Sequence, residues 1–106
     1  MLPKYLLSIA ASIAFVIGGV FMKHADGLKE PLPTALFIGA FIVGAGLQSY
    51  ALRYGDLGVV YVLVLGLEAV LAAFMGWQLF DESFTLKKIF GIGLIVAGII
   101  LLDSNE

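Results

Sequence analysis

Four apolar runs, at residues 5–22, 34–52, 57–80 and 85–102, are separated by short polar breaks and constrain this chain more than any other feature. A helix needs about 20 mostly apolar residues to cross the hydrocarbon core of a bilayer. Lipid-facing backbone tolerates almost no other geometry, because every N–H and C=O must be satisfied internally. The runs occupy most of the 106 residues. The expectation is one four-helix transmembrane domain over 1–106, with no second domain. Composition agrees: 61% of residues are hydrophobic and 13% are charged, too little polar surface for a water-soluble domain of this length. The expected fold class is an all-α membrane protein of two antiparallel hairpins, with lipid as its solvent.

The breaks set the helix ends. The first run stops at Lys23-His24-Ala25-Asp26-Gly27, and Pro31-Leu32-Pro33 leads into the second, where Thr34 is the expected N-cap. Arg53-Tyr54-Gly55-Asp56 makes the second turn and Asp81-Glu82-Ser83 the third. Lys87 and Lys88 open the fourth helix, where they can snorkel to headgroups. Tyr5, Tyr50, Tyr54, Trp77 and Phe80 lie toward helix ends, as interfacial rings do. The first run is too long for a signal-peptide core, and Lys23 follows it without a small-residue cleavage site, so it reads as a retained helix.

Several chemistries are excluded. The chain has no cysteine, hence no disulfide, thiolate metal site or cysteine nucleophile. Its one histidine, His24, has no partner at metal-ligand spacing and reads as a solvated loop residue. Net charge is −2 without a basic run, so no nucleic-acid partner is expected. Nothing implies a cofactor, a metal or an enzyme. The glycines fall mostly inside apolar runs, where they read as helix-packing positions.

Glu68 is the sharpest polar signal. It lies about halfway along the third run, near the bilayer midplane, where a carboxylate costs roughly 2.5–3.5 kcal/mol on insertion scales. Its functional reading is a proton or cation site; the alternative is a hydrogen bond to another helix. Helical spacing puts Tyr61 and Val64 on its stripe, with Tyr61 either lining a pocket or packing. In the first run Ser8, Ser12, Phe15 and Gly19 form a second stripe. Its hydroxyls either face a pocket or bond backbone. Gln48 is a further buried polar candidate, or an interfacial residue. In the fourth helix Gly91 and Gly98, seven apart, share one face, and Gly93 and Ala97 make a small-xxx-small pair; the helix is read as an association surface, with packing inside the chain as the alternative.

This order of elements resembles the small multidrug resistance family of the drug/metabolite transporter superfamily. The likeness is carried by Met22-Lys23 at the end of helix 1, Ala51-Leu52-Arg53-Tyr54 followed by Leu57-Gly58-Val59-Val60-Tyr61, Trp77, Phe80-Asp81-Glu82-Ser83-Phe84-Thr85, and Gly91 with Gly98. The stretch from Ala51 through Gly98 also resembles the repeat unit of EamA-like transporters. The resemblance implies a dimer, usually antiparallel, in a bacterial or archaeal inner membrane, with a shared central pocket and fourth helices that join the subunits. It makes Tyr61 a pocket tyrosine, Gly66 one of a flexible glycine pair whose second position is Glu68 here, and Gly91 and Gly98 dimer positions.

One departure matters. The family's exporters carry a glutamate in the middle of helix 1, where this chain has Phe15, and a pocket tryptophan where it has Val64. Cation export through that helix-1 carboxylate is not possible here, and Glu68 reads as a relocated carboxylate. The expected function is a small transporter moving a cationic or amphipathic solute by alternating access, proton-coupled through Glu68. Partners are membrane lipid, the solute, and a second copy or a related chain. The alternatives are a lipid or lipid-linked sugar flippase subunit and a non-transporting accessory subunit. Lysines and arginines number four beside the first and third connections (Lys23, Lys29, Lys87, Lys88) and two on the side of the termini (Lys4, Arg53). That bias is weak, which suits dual insertion and an antiparallel homodimer.

Overall fold

A computed structural model describes residues 2–104 of the chain. Four helices follow in order: α1 (Leu2–His24), α2 (Pro31–Ala51), α3 (Leu57–Phe80) and α4 (Leu86–Ser104), with a 3₁₀ turn at Leu52–Tyr54 extending α2. No strand occurs among the described residues. Three of the helices, α1, α2 with its 3₁₀ extension, and α3, are long and apolar enough to cross a membrane. The 19 residues of α4 carry Lys87, Lys88 and Asp103 at their two ends, with an unbroken uncharged stretch between them.

The helix starts differ from the expected ones. Helix α2 begins at Pro31, three residues before Thr34. Proline suits the first turn of a helix, since its missing N–H has no intrahelical acceptor there. Glu30 is the extended cap residue, and Thr34 sits inside the helix with its hydroxyl donating to the Glu30 carbonyl at 2.7 Å. Pro3 likewise lies in the first turn of α1, which starts at Leu2 rather than near residue 5. Helix α3 is capped by Asp81, whose left-handed φ of 55° lets the Glu82 N–H close on the Gly76 carbonyl at 3.2 Å.

Helix α1 is the centre of the bundle, packed on α2 along one side and on α3 along another, while α4 leans on α3. Ala11, Ala51, Val60 and Val64 form the buried core, with Leu7, Phe15, Leu47 and Leu52 packed on it. These are small or β-branched residues, as expected where packing rather than water exclusion joins helices. Two glycines show how close the contacts are. A Cβ at Gly44 would meet the Phe15 ring at 2.9 Å, and one at Gly66 would overlap Ile99. Large apolar side chains point outward, among them Ile42 at 67% and Phe90 at 70% exposure, a surface that only lipid or another subunit can cover.

Polar contacts tie the two ends. At the end holding the termini, Lys4 Nζ lies 2.7 Å from Asp103 Oδ1, and the Tyr5 hydroxyl donates to Asp103 Oδ2. At the other end, Lys23 Nζ lies 3.1 Å from Glu82 Oε2. The first connection carries three successive residues with left-handed backbone, Asp26, Gly27 and Leu28, and returns the chain for the Glu30 N–H to bond the Ala25 carbonyl at 3.0 Å.

Candidate functional site

Glu68 borders two cavities, and Phe15 borders both with it. The larger, about 500 Å³, is walled by Phe41, Ala45 and Gln48 of α2 and by Tyr61 and Leu65 of α3. The smaller, about 160 Å³, follows the α1–α3 seam past Gly19 and Met75 to Lys23 and Glu82. The Glu68 side chain is partly buried and has no hydrogen-bond or ion-pair partner among the described residues. A carboxylate so placed is open to a ligand or a proton, and no side chain among the described residues is paired with it.

The structure brings together Glu68, Phe15, Tyr61 and Gln48. Tyr61 is 46% exposed along the larger cavity, and Gln48 is nearly buried in its wall. The Phe15 ring stands edge-on to Phe41, with centroids 5.6 Å apart, so three aromatic rings and one carboxylate share the space. Rings around a carboxylate are a suitable lining for an organic cation.

Val64 and Ser12 are not brought to this cavity. Both are fully buried. On a helix turning about 100° per residue, Val64 and Leu65 flank the Tyr61–Glu68 line on opposite sides. The Val64 side faces the core with Val60, and Leu65 takes the cavity wall. The Ser12 hydroxyl lies 2.8 Å from the Ser8 carbonyl and 3.1 Å from the Val64 carbonyl, so its donor is taken up by backbone and joins α1 to α3.

The small residues of α4 are arranged differently from Gly66. A Cβ at Gly91, Gly93 or Gly98 would meet nothing within 4 Å, and no residue of α4 is buried. Contact with α3 is made by Ile95 and Ile99 against Gly66. Gly93, Ala97 and Gly98 are exposed within the protomer and Gly91 is half-buried, with Gly91/Gly98 and Gly93/Ala97 on different sides of α4.

Sequence reasoning missed Phe41 and Glu82. Phe41 was within reach: Phe41, Ala45, Gln48 and Leu52 recur at helical spacing and all line the larger cavity. Glu82 carried no such signal, since only the turn at Asp81 swings its carboxylate back over Gly76, where a Cβ would overlap Oε1.

Long apolar helices around a cavity with a mid-helix carboxylate suit a small membrane transporter. The family model described as Small Multidrug Resistance protein matches residues 3–95, and the chain belongs to that family. Among its relatives, the multidrug resistance protein EbrB of Bacillus atrophaeus is 31% identical, over 97% of this chain and 89% of its own length. EbrB of Bacillus licheniformis is 34% identical, over 92% of this chain and 82% of its own. A guanidinium exporter of Citrobacter freundii is 32% identical, over 96% of this chain and 97% of its own. The chain is an integral membrane protein with bacterial relatives.

Proposed function

We propose that this protein moves a small organic cation across the membrane by alternating access, with Glu68 as the group that holds the cation or, in its absence, a proton. The observation that carries the reading is the unpaired Glu68 carboxylate facing two cavities beside Phe15. The family's helix-1 carboxylate is replaced by a ring in this chain, and Glu68 supplies a negative charge to the same space from the opposing helix. Tyr61 and Phe41 offer ring faces, and Gln48 a polar contact. The relatives named for multidrug resistance and for guanidinium export set the range of solutes. The dimer is formed through α4, by the Gly91/Gly98 face or the Gly93/Ala97 pair, in antiparallel arrangement, because each protomer leaves the space at these glycines open and the orientation bias is weak.

Purified protein in proteoliposomes tests this with two probes, guanidinium and tetraphenylphosphonium, under an imposed pH gradient. Gradient-driven flux of at least one probe is expected, and Glu68→Gln is expected to abolish it while leaving the protein folded. Equal rates and equal pH dependence for the two forms remove Glu68 from the mechanism. A second reading, transfer of a lipid headgroup, draws support from an apolar groove of about 340 Å³ between α1 and α3, lined by Ile17, Phe21 and Phe74 among others. Movement of a fluorescent lipid between leaflets, without flux of either cation, favours it. No flux of any kind from the purified protein favours an accessory subunit.

A further inference from the structure

The smaller cavity runs from Glu68 to the polar end of the bundle, and three of the residues that line it there form a cation complex of their own. Lys23 Nζ lies 3.1 Å from Glu82 Oε2 and 5.1 Å from the centroid of the Phe80 ring, and Lys23, Glu82 and Phe80 all line the cavity. An ammonium between a carboxylate and an aromatic face is a recurrent way of holding a cationic ligand. Here the ligand is the chain's own side chain. Backbone geometry sets it up: the left-handed turn at Asp81 folds Glu82 back, and Gly76 leaves room for the carboxylate. Both side chains keep contact with water, at 55% and 43% exposure, and an ion pair so exposed is weak and opens readily.

We propose that Glu82 with Phe80 is a second cation site at the mouth of the Glu68 cavity, selecting small organic cations, and that the Lys23 ammonium occupies it in this conformation as a resident competitor. A solute cation passing between water and Glu68 on this side replaces Lys23 on the carboxylate and ring. Anions are refused because removing Lys23 leaves two carboxylates, Glu82 and Glu68, along one narrow path. The proposal rests on the reading of Glu68 given above, as the station to which this path leads.

The chain has no cysteine, so Val16→Cys at a buried residue of the cavity wall supplies a single thiol. In lipid nanodiscs, which expose both membrane faces, its modification is timed with a trimethylammonium methanethiosulfonate and with the sulfonate analogue. Lys23→Gln is expected to speed the cationic reagent about two- to fivefold, the range for an exposed ion pair, and to leave the anionic one slow. Adding Glu82→Gln is expected to remove that preference. The swapped pair, Lys23→Glu with Glu82→Lys, restores the closure and the slow rate. Glu82→Asp, which shortens the reach by one methylene, provides a milder opening should Lys23→Gln not fold. No gain from either opening variant overturns the proposal, as does an equal gain for both reagents or a swapped pair that stays fast. These rates involve no transport. If Glu68 has no part in transport, the flux assay shows it and the labelling pattern stands unchanged.

Discussion

Lys4 in the first turn of α1 and Asp103 in the last turn of α4 form an ion pair of 2.7 Å, with the Lys4 side chain only 5% exposed. The Tyr5 hydroxyl shares the same carboxylate. Away from this point α4 rests on α3 through Ile95 and Ile99, so the pair fixes where the end of α4 lies against the rest of the bundle. Asp103→Asn is expected to lower the unfolding free energy by about 1.5–3 kcal/mol, the range for hydrogen bonds to charged groups. Titration from mild detergent into dodecyl sulfate micelles measures it. Tyr5→Phe should cost less, since the ion pair survives.

Gly66 and Gly98 separate packing inside the protomer from packing between protomers. A Cβ at Gly66 would overlap Ile99, whereas one at Gly98 meets nothing. Gly66→Leu should destabilise the protomer by about 1–3 kcal/mol through overpacking. Gly98→Leu should leave protomer stability unchanged and weaken the dimer about tenfold, ~1.4 kcal/mol in association. Crosslinking yield against lipid dilution reads the second effect. An unchanged dimer fraction excludes the Gly91/Gly98 face as the interface.

Ser12→Ala tests the hydroxyl that joins α1 to α3. Its donor lies against the Ser8 and Val64 carbonyls, so the expected loss is stability, about 0.6 kcal/mol and at most ~1.7 for an interhelical hydrogen bond in lipid. Probe flux per folded protein should stay close to that of the parent, since Ser12 lines neither cavity beside Glu68. A larger fall in flux at equal stability assigns Ser12 to the solute path.

Orientation is testable with single cysteines at Glu30 and Ser104, one at each membrane face. Glu30 is preferred to Gly27, whose φ of 66° is strained for any side chain. Its own backbone is extended and its side chain makes no cap bond. Treatment of intact cells with a membrane-impermeant thiol reagent should label both sites, each partially, if the chain inserts both ways. Exclusive labelling of one site requires a parallel assembly or an oppositely inserted partner.

Periodicity along one helix carried part of the site and lost part. Tyr61 and Glu68 share a face whatever α3 packs against, because about 100° of turn per residue fixes their relation. Val64 sits at the edge of that face, and an edge residue goes to the core or the cavity according to which neighbour lies there. Here the Ala11 and Ala51 side is core. Thr34 illustrates the same limit at a helix end. Threonine is a good cap, yet proline fits the first turn better, and Pro31 moved the start upstream.

The amino-acid sequence by itself determined the solvent, the number of helices and their antiparallel order, because run length and hydropathy answer to the thickness of a bilayer rather than to any partner residue. It also determined that the mid-helix carboxylate is Glu68 and that helix 1 has none. Tertiary structure alone decided what Glu68 faces, that Phe15 and Phe41 wall the space beside it, and that Glu82 returns to meet Lys23. Those relations join residues far apart in the chain through side-chain direction and close backbone approach, at Gly44, Gly66 and Gly76. In a helix whose every face is apolar, the sequence pattern does not show which face turns inward.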